Sequence, residues 1–189
     1  MNLPNIITIA RILLAPFIIW LIISGEMLAA FVVFLVAGIS DGVDGYLAKR
    51  WAQITALGAH LDPLADKLLL VSIYVALGLG GHLAPWLVIV VVSRDLLILG
   101  GLMLAWVMGR PMAIKPLAIS KVNTFGQIFL VGCVLGVLGL GLEFPRLIQL
   151  GSYAVGALTV ASGAFYLRDW LLFVANGNDS KGQPKGQAK

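Results

Sequence analysis

Apolar residues fill most of this chain, in stretches long enough to cross a lipid bilayer. Hydrophobic residues make up 60% of the 189 positions and charged residues only 12%, which is about half the charged share of a soluble domain. Because so little of the surface can be polar, most of it must face lipid rather than water. We therefore predict an all-α, polytopic membrane protein with six transmembrane helices.

The predicted helices cover residues 6–24, 27–44, 61–79, 84–108, 119–142 and 147–174. Each is close to the ~20 residues that a helix needs to cross the hydrocarbon core. Together they form one predicted domain over residues 1–175. Residues 176–189 are polar and rich in Gly and Lys, which predicts a disordered cytoplasmic tail. No internal repeat is visible, which argues against a solenoid or an inverted-repeat transporter.

The cations predict how the chain is oriented in the membrane. They gather at alternate connections and at the end of the chain, at Lys49, Arg50, Arg110, Lys115, Lys121, Lys181, Lys185 and Lys189. Lys and Arg concentrate on cytoplasmic loops, so both termini and the connection between the second and third helices are predicted to face the cytoplasm. The predicted location is a bacterial plasma membrane or an organellar inner membrane. The scattered cations form no basic, aromatic face, which argues against nucleic acid as a partner.

Four of the nine acidic residues fall in one short segment, at Asp41, Asp44, Asp62 and Asp66. Carboxylates in or near a bilayer are costly, and clustering them opposes their ionisation. One or two divalent cations would resolve this conflict. Asp41 and Asp44 are three positions apart and Asp62 and Asp66 four, so each pair shares one face of a helix. Oxygen ligands without His or Cys favour Mg²⁺ or Mn²⁺.

Small residues accompany these acids. Gly45 and Ala48 share the helical face of the first pair, and Gly58 lies one turn before Asp62. They would leave room for a nucleotide or a ligand backbone to approach. Taken separately, aspartates at a helix end also serve as caps, and small residues on one face also serve helix packing. Because all four acids fit one register on two consecutive helices, a metal site explains the pattern better.

The whole segment has a fixed pattern of aspartates and small residues. It reads Asp41-Gly-Val-Asp44-Gly-Tyr-Leu-Ala-Lys49, then eight residues, then Gly58-Ala-His-Leu-Asp62-Pro-Leu-Ala-Asp66. This resembles the signature of the CDP-alcohol phosphatidyltransferases, D-x-x-D-G-x-x-A-R, eight residues, G-x-x-x-D-x-x-x-D. Lys49 stands where the family has arginine, and Arg50 follows it. Lysine keeps the positive charge but loses the bidentate fork.

The resemblance implies a fold of six transmembrane helices, a homodimer and an active site open to the cytoplasm. It implies two ions, Mg²⁺ or Mn²⁺, held by the four aspartates, of which Asp66 is also the general base. The residues that contact the CDP-linked lipid would be Gly45, Ala48, Lys49 and Gly58. The implied reaction transfers a phosphatidyl group from CDP-diacylglycerol to an alcohol and releases CMP.

Two further segments bear on the identity of the alcohol. The Ser93–Asp95 and Ile119–Thr124 segments resemble the CMP-forming cardiolipin synthases, whose acceptor is phosphatidylglycerol. Phosphatidylglycerophosphate synthases, which use glycerol 3-phosphate, are close relatives and usually have glycine at the position of Ser120. We predict phosphatidylglycerol as the acceptor, with glycerol 3-phosphate as the alternative. Both are anionic glycerol-containing molecules, so counting cations does not separate them.

The predicted acceptor contacts are the cations Arg94, Lys115 and Lys121. Arg94 has two open roles, because the adjacent Asp95 offers it a buried structural pair. His82 lies on the side of the membrane opposite the aspartates and is not predicted to take part in the chemistry.

A cation transporter is the alternative from outside the enzymes, because acidic residues within a membrane also mark ion paths. It predicts carboxylates near the middle of the membrane on broken helices. Here they lie near one membrane edge, and transport does not explain the accompanying Gly45, Ala48 and Gly58.

Overall fold

The computed structural model describes residues 3–51, 56–107 and 118–179, with side chains described over 13–40, 67–101, 103–104, 107 and 118–173. The described residues form helices joined by turns and contain no strand. The helices are α1 (Leu3–Ile23), α2 (Met27–Trp51), α3 (Ala56–Leu79), α4 (Pro85–Val107), α5 (Ala118–Gly139) and α6 (Pro145–Asp179). The predicted all-α class and the six predicted helices are therefore confirmed for this part of the chain.

Three helices extend by about five residues or more beyond an end that the apolar pattern predicts. α2 continues to Trp51 instead of ending at residue 44, and α3 begins at Ala56 instead of residue 61. The predicted ends followed the loss of apolar residues, whereas backbone hydrogen bonds can continue a helix through polar sequence. α6 begins at Pro145, a residue suited to the first helical turn, and continues to Asp179. α6 therefore continues past the predicted domain boundary at residue 175. Residues 180–189 lie outside the described residues, and the disordered tail stays a prediction.

Tight turns join the helices in pairs on the side away from the aspartate segments. Each turn has a glycine in the left-handed backbone region, with φ of 79° at Gly25, 74° at Gly81 and 64° at Gly141. A Cβ is strained in this conformation, so glycine suits the end of a helix. In the first turn, the Glu26 amide donates to the Leu21 carbonyl at 2.9 Å. These turns set α1 against α2, α3 against α4 and α5 against α6.

The helices pack as a closed ring in the order α1, α2, α5, α6, α4 and α3, and α3 also contacts α5 across the centre. The core lies where α3 meets its neighbours. Ile73, Tyr74 and Leu77 of α3 are completely buried, as are Ile18 of α1 and Val134 of α5. α3, whose first half carries two of the four aspartates, is therefore held from three sides, by α1, α4 and α5.

The outer surface of this ring is strongly apolar. Leu79 is 84% exposed, Phe125 72% and Met103 70%, and such a surface is far more apolar than that of a soluble monomer. Two helices are long and apolar enough to cross a membrane over their described side chains, Ala118–Gly139 and Pro145–Phe173. Three shorter apolar helical segments accompany them, Leu13–Ile23, Met27–Ser40 and Lys67–Leu79. A lipid environment fits this surface, and the six membrane crossings remain a prediction.

Candidate functional site

The predicted metal ligands lie on two consecutive helices. Asp41 and Asp44 are in the second half of α2, and Asp62 and Asp66 are in the first half of α3. With about 100° of rotation per residue, the helical backbone keeps the members of each pair on one face. The described side chains form no group of three or more metal-ligating residues, and the four aspartates lie outside them. As a donor set, four carboxylates without thiol or imidazole suit Mg²⁺ or Mn²⁺.

The predicted contacts of the CDP-linked lipid occupy the same two helical segments. Gly45, Ala48 and Lys49 belong to α2 and Gly58 to α3, and their side chains also lie outside the described ones. The structure therefore shows that these residues share two helices with the aspartates, and their contacts remain a prediction.

A buried ion cluster begins directly after the last aspartate. The Nζ atom of Lys67 donates to both carboxylate oxygens of Asp95 on α4, at 2.9 and 3.1 Å. The same carboxylate accepts from Nη1 of Arg94 at 2.6 Å. Asp95 is only 3% exposed and Arg94 only 4%. Since buried charges are costly unless paired, this arrangement ties the charges of α3 and α4 together.

Arg94 extends the cluster to two more helices. Its Nη2 atom donates to the hydroxyl of Ser120 on α5 at 2.6 Å and to that of Ser162 on α6 at 2.8 Å. Of the two roles left open for Arg94, the buried pair with Asp95 is the one seen in the structure. Its terminal nitrogens are bonded within the protein, and its guanidinium brings α4, α5 and α6 together.

A second set of polar contacts lies deeper in the bundle. The Thr159 hydroxyl of α6 lies 2.8 Å from Oδ1 of Asn123 and accepts from Nε2 of Gln127 at 3.4 Å. The Tyr74 hydroxyl of α3 donates to the backbone carbonyl of Gln127 at 3.2 Å. All four residues are completely buried. These contacts fix α3, α5 and α6 relative to one another because unsatisfied polar groups in an apolar interior are costly.

Sequence reasoning did not predict the bond between Lys67 and Asp95. A signal was present, because a lysine in α3 and an Arg–Asp pair in α4 lie in otherwise apolar surroundings, where opposite charges on neighbouring helices pair. Nothing in the sequence indicated Ser162, which is one of several small polar residues in α6 and lies 68 positions from Arg94.

The sequence model of the CDP-alcohol phosphatidyltransferases matches residues 1–174 of the chain, which includes all four aspartates and the buried ion cluster. The chain belongs to the CDP-alcohol phosphatidyltransferase family. The family resemblance predicted from the aspartate signature is thereby confirmed.

The chain is also similar to individual phosphatidyltransferases. It is 36% identical over 184 residues to the chloroplastic CDP-diacylglycerol–glycerol-3-phosphate 3-phosphatidyltransferase 1 of Oryza sativa, covering 88% of this chain and 56% of the rice protein. It is 36% identical over 150 residues to the human cardiolipin synthase (CMP-forming), covering 71% of this chain and 50% of the human protein. The Schizosaccharomyces pombe cardiolipin synthase (CMP-forming) / mitochondrial hydrolase fusion protein is 33% identical over 182 residues, covering 87% of this chain and 30% of the fusion protein. The chain thus spans about half the length of the rice and human relatives.

The predicted acceptor contacts fall into different environments. Lys121 is exposed near the start of α5, next to Ser120, which bonds to the buried Arg94. Lys121 therefore lies close along the chain to the ion cluster that joins α3 and α4. Lys115 lies outside the described residues. Its proximity to the aspartates stays a prediction.

The opposite end of the bundle holds a cavity of about 300 Å³. It is lined by His82, Ala84, Trp86, Pro145, Ile148, Gln149, Ser152 and Tyr153. The rings of Trp86 and Tyr153 stack with their centroids 5.5 Å apart. His82 follows the end of α3, whereas Asp62 and Asp66 lie in the first half of that helix. The helix therefore separates this imidazole from the candidate catalytic segment. That His82 takes no part in the chemistry stays a prediction.

Proposed function

We propose that this protein transfers a phosphatidyl group from CDP-diacylglycerol to an alcohol acceptor and releases CMP. The observation that carries the proposal is the family match over residues 1–174, within which the four aspartates keep the family spacing on α2 and α3. The donor set of four carboxylates fits two Mg²⁺ or Mn²⁺ ions.

The mechanism assigns a separate task to each group of residues. When bound, the divalent ions would neutralise the pyrophosphate of CDP-diacylglycerol and make CMP a better leaving group. The four aspartates would hold the ions. Asp66 also accepts the proton of the acceptor hydroxyl, while the oxygen of that hydroxyl attacks the β-phosphorus, which carries the diacylglycerol. The bond between that phosphorus and the oxygen of CMP then breaks. Lys49 contacts the nucleotide phosphates through its charge, while Gly45, Ala48 and Gly58 leave room for the nucleotide.

The acceptor is bound by cations on the cytoplasmic side. Lys115 and Lys121 are the proposed contacts, because Lys115 lies in the chain segment between α4 and α5 and Lys121 lies in the first turn of α5. Arg94 was also a predicted contact. With its terminal nitrogens bonded to Asp95, Ser120 and Ser162, we assign it to the support of the site.

Phosphatidylglycerol is the proposed acceptor, which would make the product cardiolipin. Support comes from the Ser93–Asp95 and Ile119–Thr124 segments and from the likeness to the human cardiolipin synthase. Glycerol 3-phosphate is the second candidate, because the rice relative carries that acceptor in its name. The rice and human relatives have the same sequence identity to this chain, 36%.

The proposed setting is a lipid bilayer. All six helices would cross it, with both termini and the active site facing the cytoplasm, and two copies of the chain would form a homodimer. The exposed apolar surface supports the membrane setting, and the distribution of cations supports the orientation.

The direct test is release of CMP from CDP-diacylglycerol by the purified chain in lipid nanodiscs, with either acceptor and with or without Mg²⁺. We expect release that requires Mg²⁺ and is faster with phosphatidylglycerol. A cation transporter would release no CMP, and faster release with glycerol 3-phosphate would establish the second acceptor.

Substitution of the metal ligands gives the matched test. Asp41→Asn, Asp44→Asn and Asp62→Asn each remove one anionic ligand, so each should abolish most of the CMP release while the protein still inserts in the membrane. Retained turnover in any two of these variants would contradict the two-ion site.

A further inference from the structure

We propose that Asp95 is a positioning residue for the metal site. Through its bonds to Lys67, it fixes the part of α3 that carries Asp62 and Asp66. This inference rests on the proposed function, because it assumes that these aspartates hold divalent ions.

The link between α4 and α3 is short and is buried at its carboxylate end. Both oxygens of Asp95 accept from Nζ of Lys67, at 2.9 and 3.1 Å, across 28 positions of sequence. The Lys67 side chain is 24% exposed, whereas that of Asp95 is 3% exposed. The lysine therefore reaches from a partly open position into the closed interior, where its ammonium group meets a carboxylate held on the neighbouring helix.

The carboxylate is itself held from several sides. Arg94 donates to it at 2.6 Å, and the same guanidinium donates to Ser120 of α5 and Ser162 of α6. Three helices thus define where Asp95 can lie. An ion pair that is braced in this way is a rigid anchor, because its surroundings satisfy several of its polar groups in the positions that they occupy.

Because Lys67 and the two aspartates lie on the same helix, fixing Lys67 also constrains the aspartates. Lys67 follows Asp66 and lies five positions after Asp62 on the same helix. It is therefore about 1.5 Å along the axis from Asp66 and about 7.5 Å from Asp62. Fixing the side chain of Lys67 limits both the rotation of α3 about its axis and its sliding along that axis, which are the two motions that would displace a ligand pair.

Positioning and simple electrostatics make different predictions for metal binding. Removing the negative charge of Asp95 weakens cation binding in both accounts. Removing the positive charge of Lys67 should strengthen it by electrostatics alone, but should weaken it if the lysine anchors the ligands. Ser120→Ala changes no charge and loosens only the brace of Arg94, so it weakens metal binding only in the positioning account.

The experiment measures binding of Mn²⁺ alone to the full chain in lipid nanodiscs, from the electron paramagnetic resonance signal of the free ion. Asp95→Asn and Lys67→Gln should each raise the Kd for Mn²⁺ by about tenfold, the lower end of the range for groups that orient metal ligands. Ser120→Ala should raise it less, and Asp95→Glu, which keeps the carboxylate, should recover part of the affinity. The Asp95→Asn, Lys67→Gln double variant should bind no more weakly than the weaker single variant, because both changes break the same link.

Thr159→Val is the matched control, since Thr159 is completely buried in the deeper polar contacts of α5 and α6. It should lower the thermal midpoint while leaving the Kd for Mn²⁺ close to that of the wild type. Tighter binding in Lys67→Gln, or additive effects in the double variant, would overturn the proposal. If Asp95→Asn does not fold, Lys67→Gln and Ser120→Ala decide the same question. A wild-type chain that neither binds Mn²⁺ nor releases CMP would instead contradict the proposed function.

Discussion

At the scale of single residues, Asp66 has the most specific proposed role. Asn is nearly isosteric with Asp and can still offer an oxygen to a metal ion, but it cannot accept the proton of the attacking hydroxyl. Asp66→Asn should therefore lower kcat by about 10²–10⁴, the usual worth of general-base catalysis. Binding of CDP-diacylglycerol should change much less. Steady-state kinetics of CMP release, with direct measurement of CDP-diacylglycerol binding, would check both expectations.

The control for Asp66 is its neighbour one turn earlier. Asp62→Asn should raise the Mg²⁺ concentration that activity needs, because it removes a ligand and not the base. The acidic limb of the wild-type pH–rate profile should disappear from the residual activity of Asp66→Asn. An unchanged limb together with a decrease of kcat smaller than about tenfold would make Asp66 a ligand only.

Lys49 departs from the arginine of the family signature and tests how the nucleotide phosphates are bound. If its ammonium acts as a point charge, Lys49→Arg should stay active, because guanidinium keeps the charge and adds a fork that suits phosphate. Lys49→Ala should mainly raise KM for CDP-diacylglycerol. A wild-type KM in Lys49→Ala would assign the contact to Arg50 or to no side chain.

At the scale of helices, Gly139 at the end of α5 lies directly against the backbone of α2. A Cβ added there would lie 2.8 Å from the Cα and 2.9 Å from the amide nitrogen of Leu28. These are backbone atoms that cannot rotate away. Gly139→Ala should therefore destabilise the bundle by about 1–3 kcal/mol, as overpacking of a tight interior does, and lower its thermal midpoint in detergent.

Gly100 provides the control for this contact. It lies in α4, and an added Cβ would meet nothing within 4 Å. Gly100→Ala should leave the thermal midpoint unchanged or raise it slightly, since Ala favours a helix more than Gly does. Equal loss of stability in both variants would mean that the contact between α2 and α5 does not cause the effect of Gly139→Ala.

At the scale of the whole molecule, the proposed orientation can be tested with single cysteines after Cys133, which is partly buried, is replaced by Ala. Glu26→Cys and Glu143→Cys lie in or beside exposed turns on one side of the bundle, and Ser180→Cys lies in the polar tail. A membrane-impermeant maleimide should label the first two in right-side-out vesicles and the third only in inverted ones. Labelling of all three from the same side would contradict the proposed odd number of membrane crossings between each of these turns and the carboxyl terminus.

The sequence by itself determined the helices, their order and the family. Apolar runs of membrane-spanning length predict a helix wherever they occur, because the backbone must satisfy its own hydrogen bonds in lipid. The aspartate spacing predicts two ligand pairs, because the helical repeat acts over only a few residues. The helix ends near Trp51 and Ala56 were missed, because loss of apolar character marks a membrane edge and not the end of a helix.

Only the tertiary structure decided which helices become neighbours and which side chains meet. Lys67 contacts Asp95 across 28 positions, and Arg94 contacts Ser162 across 68. Neither separation follows a helical period, so no local pattern encodes it. Which side chains meet depends on the ring order of the helices. That order depends on how whole helix faces pack, and the close approach of Gly139 to Leu28 is one contact of this packing. Local propensity acts through the backbone of a few adjacent residues, whereas these contacts exist only once all the faces have packed.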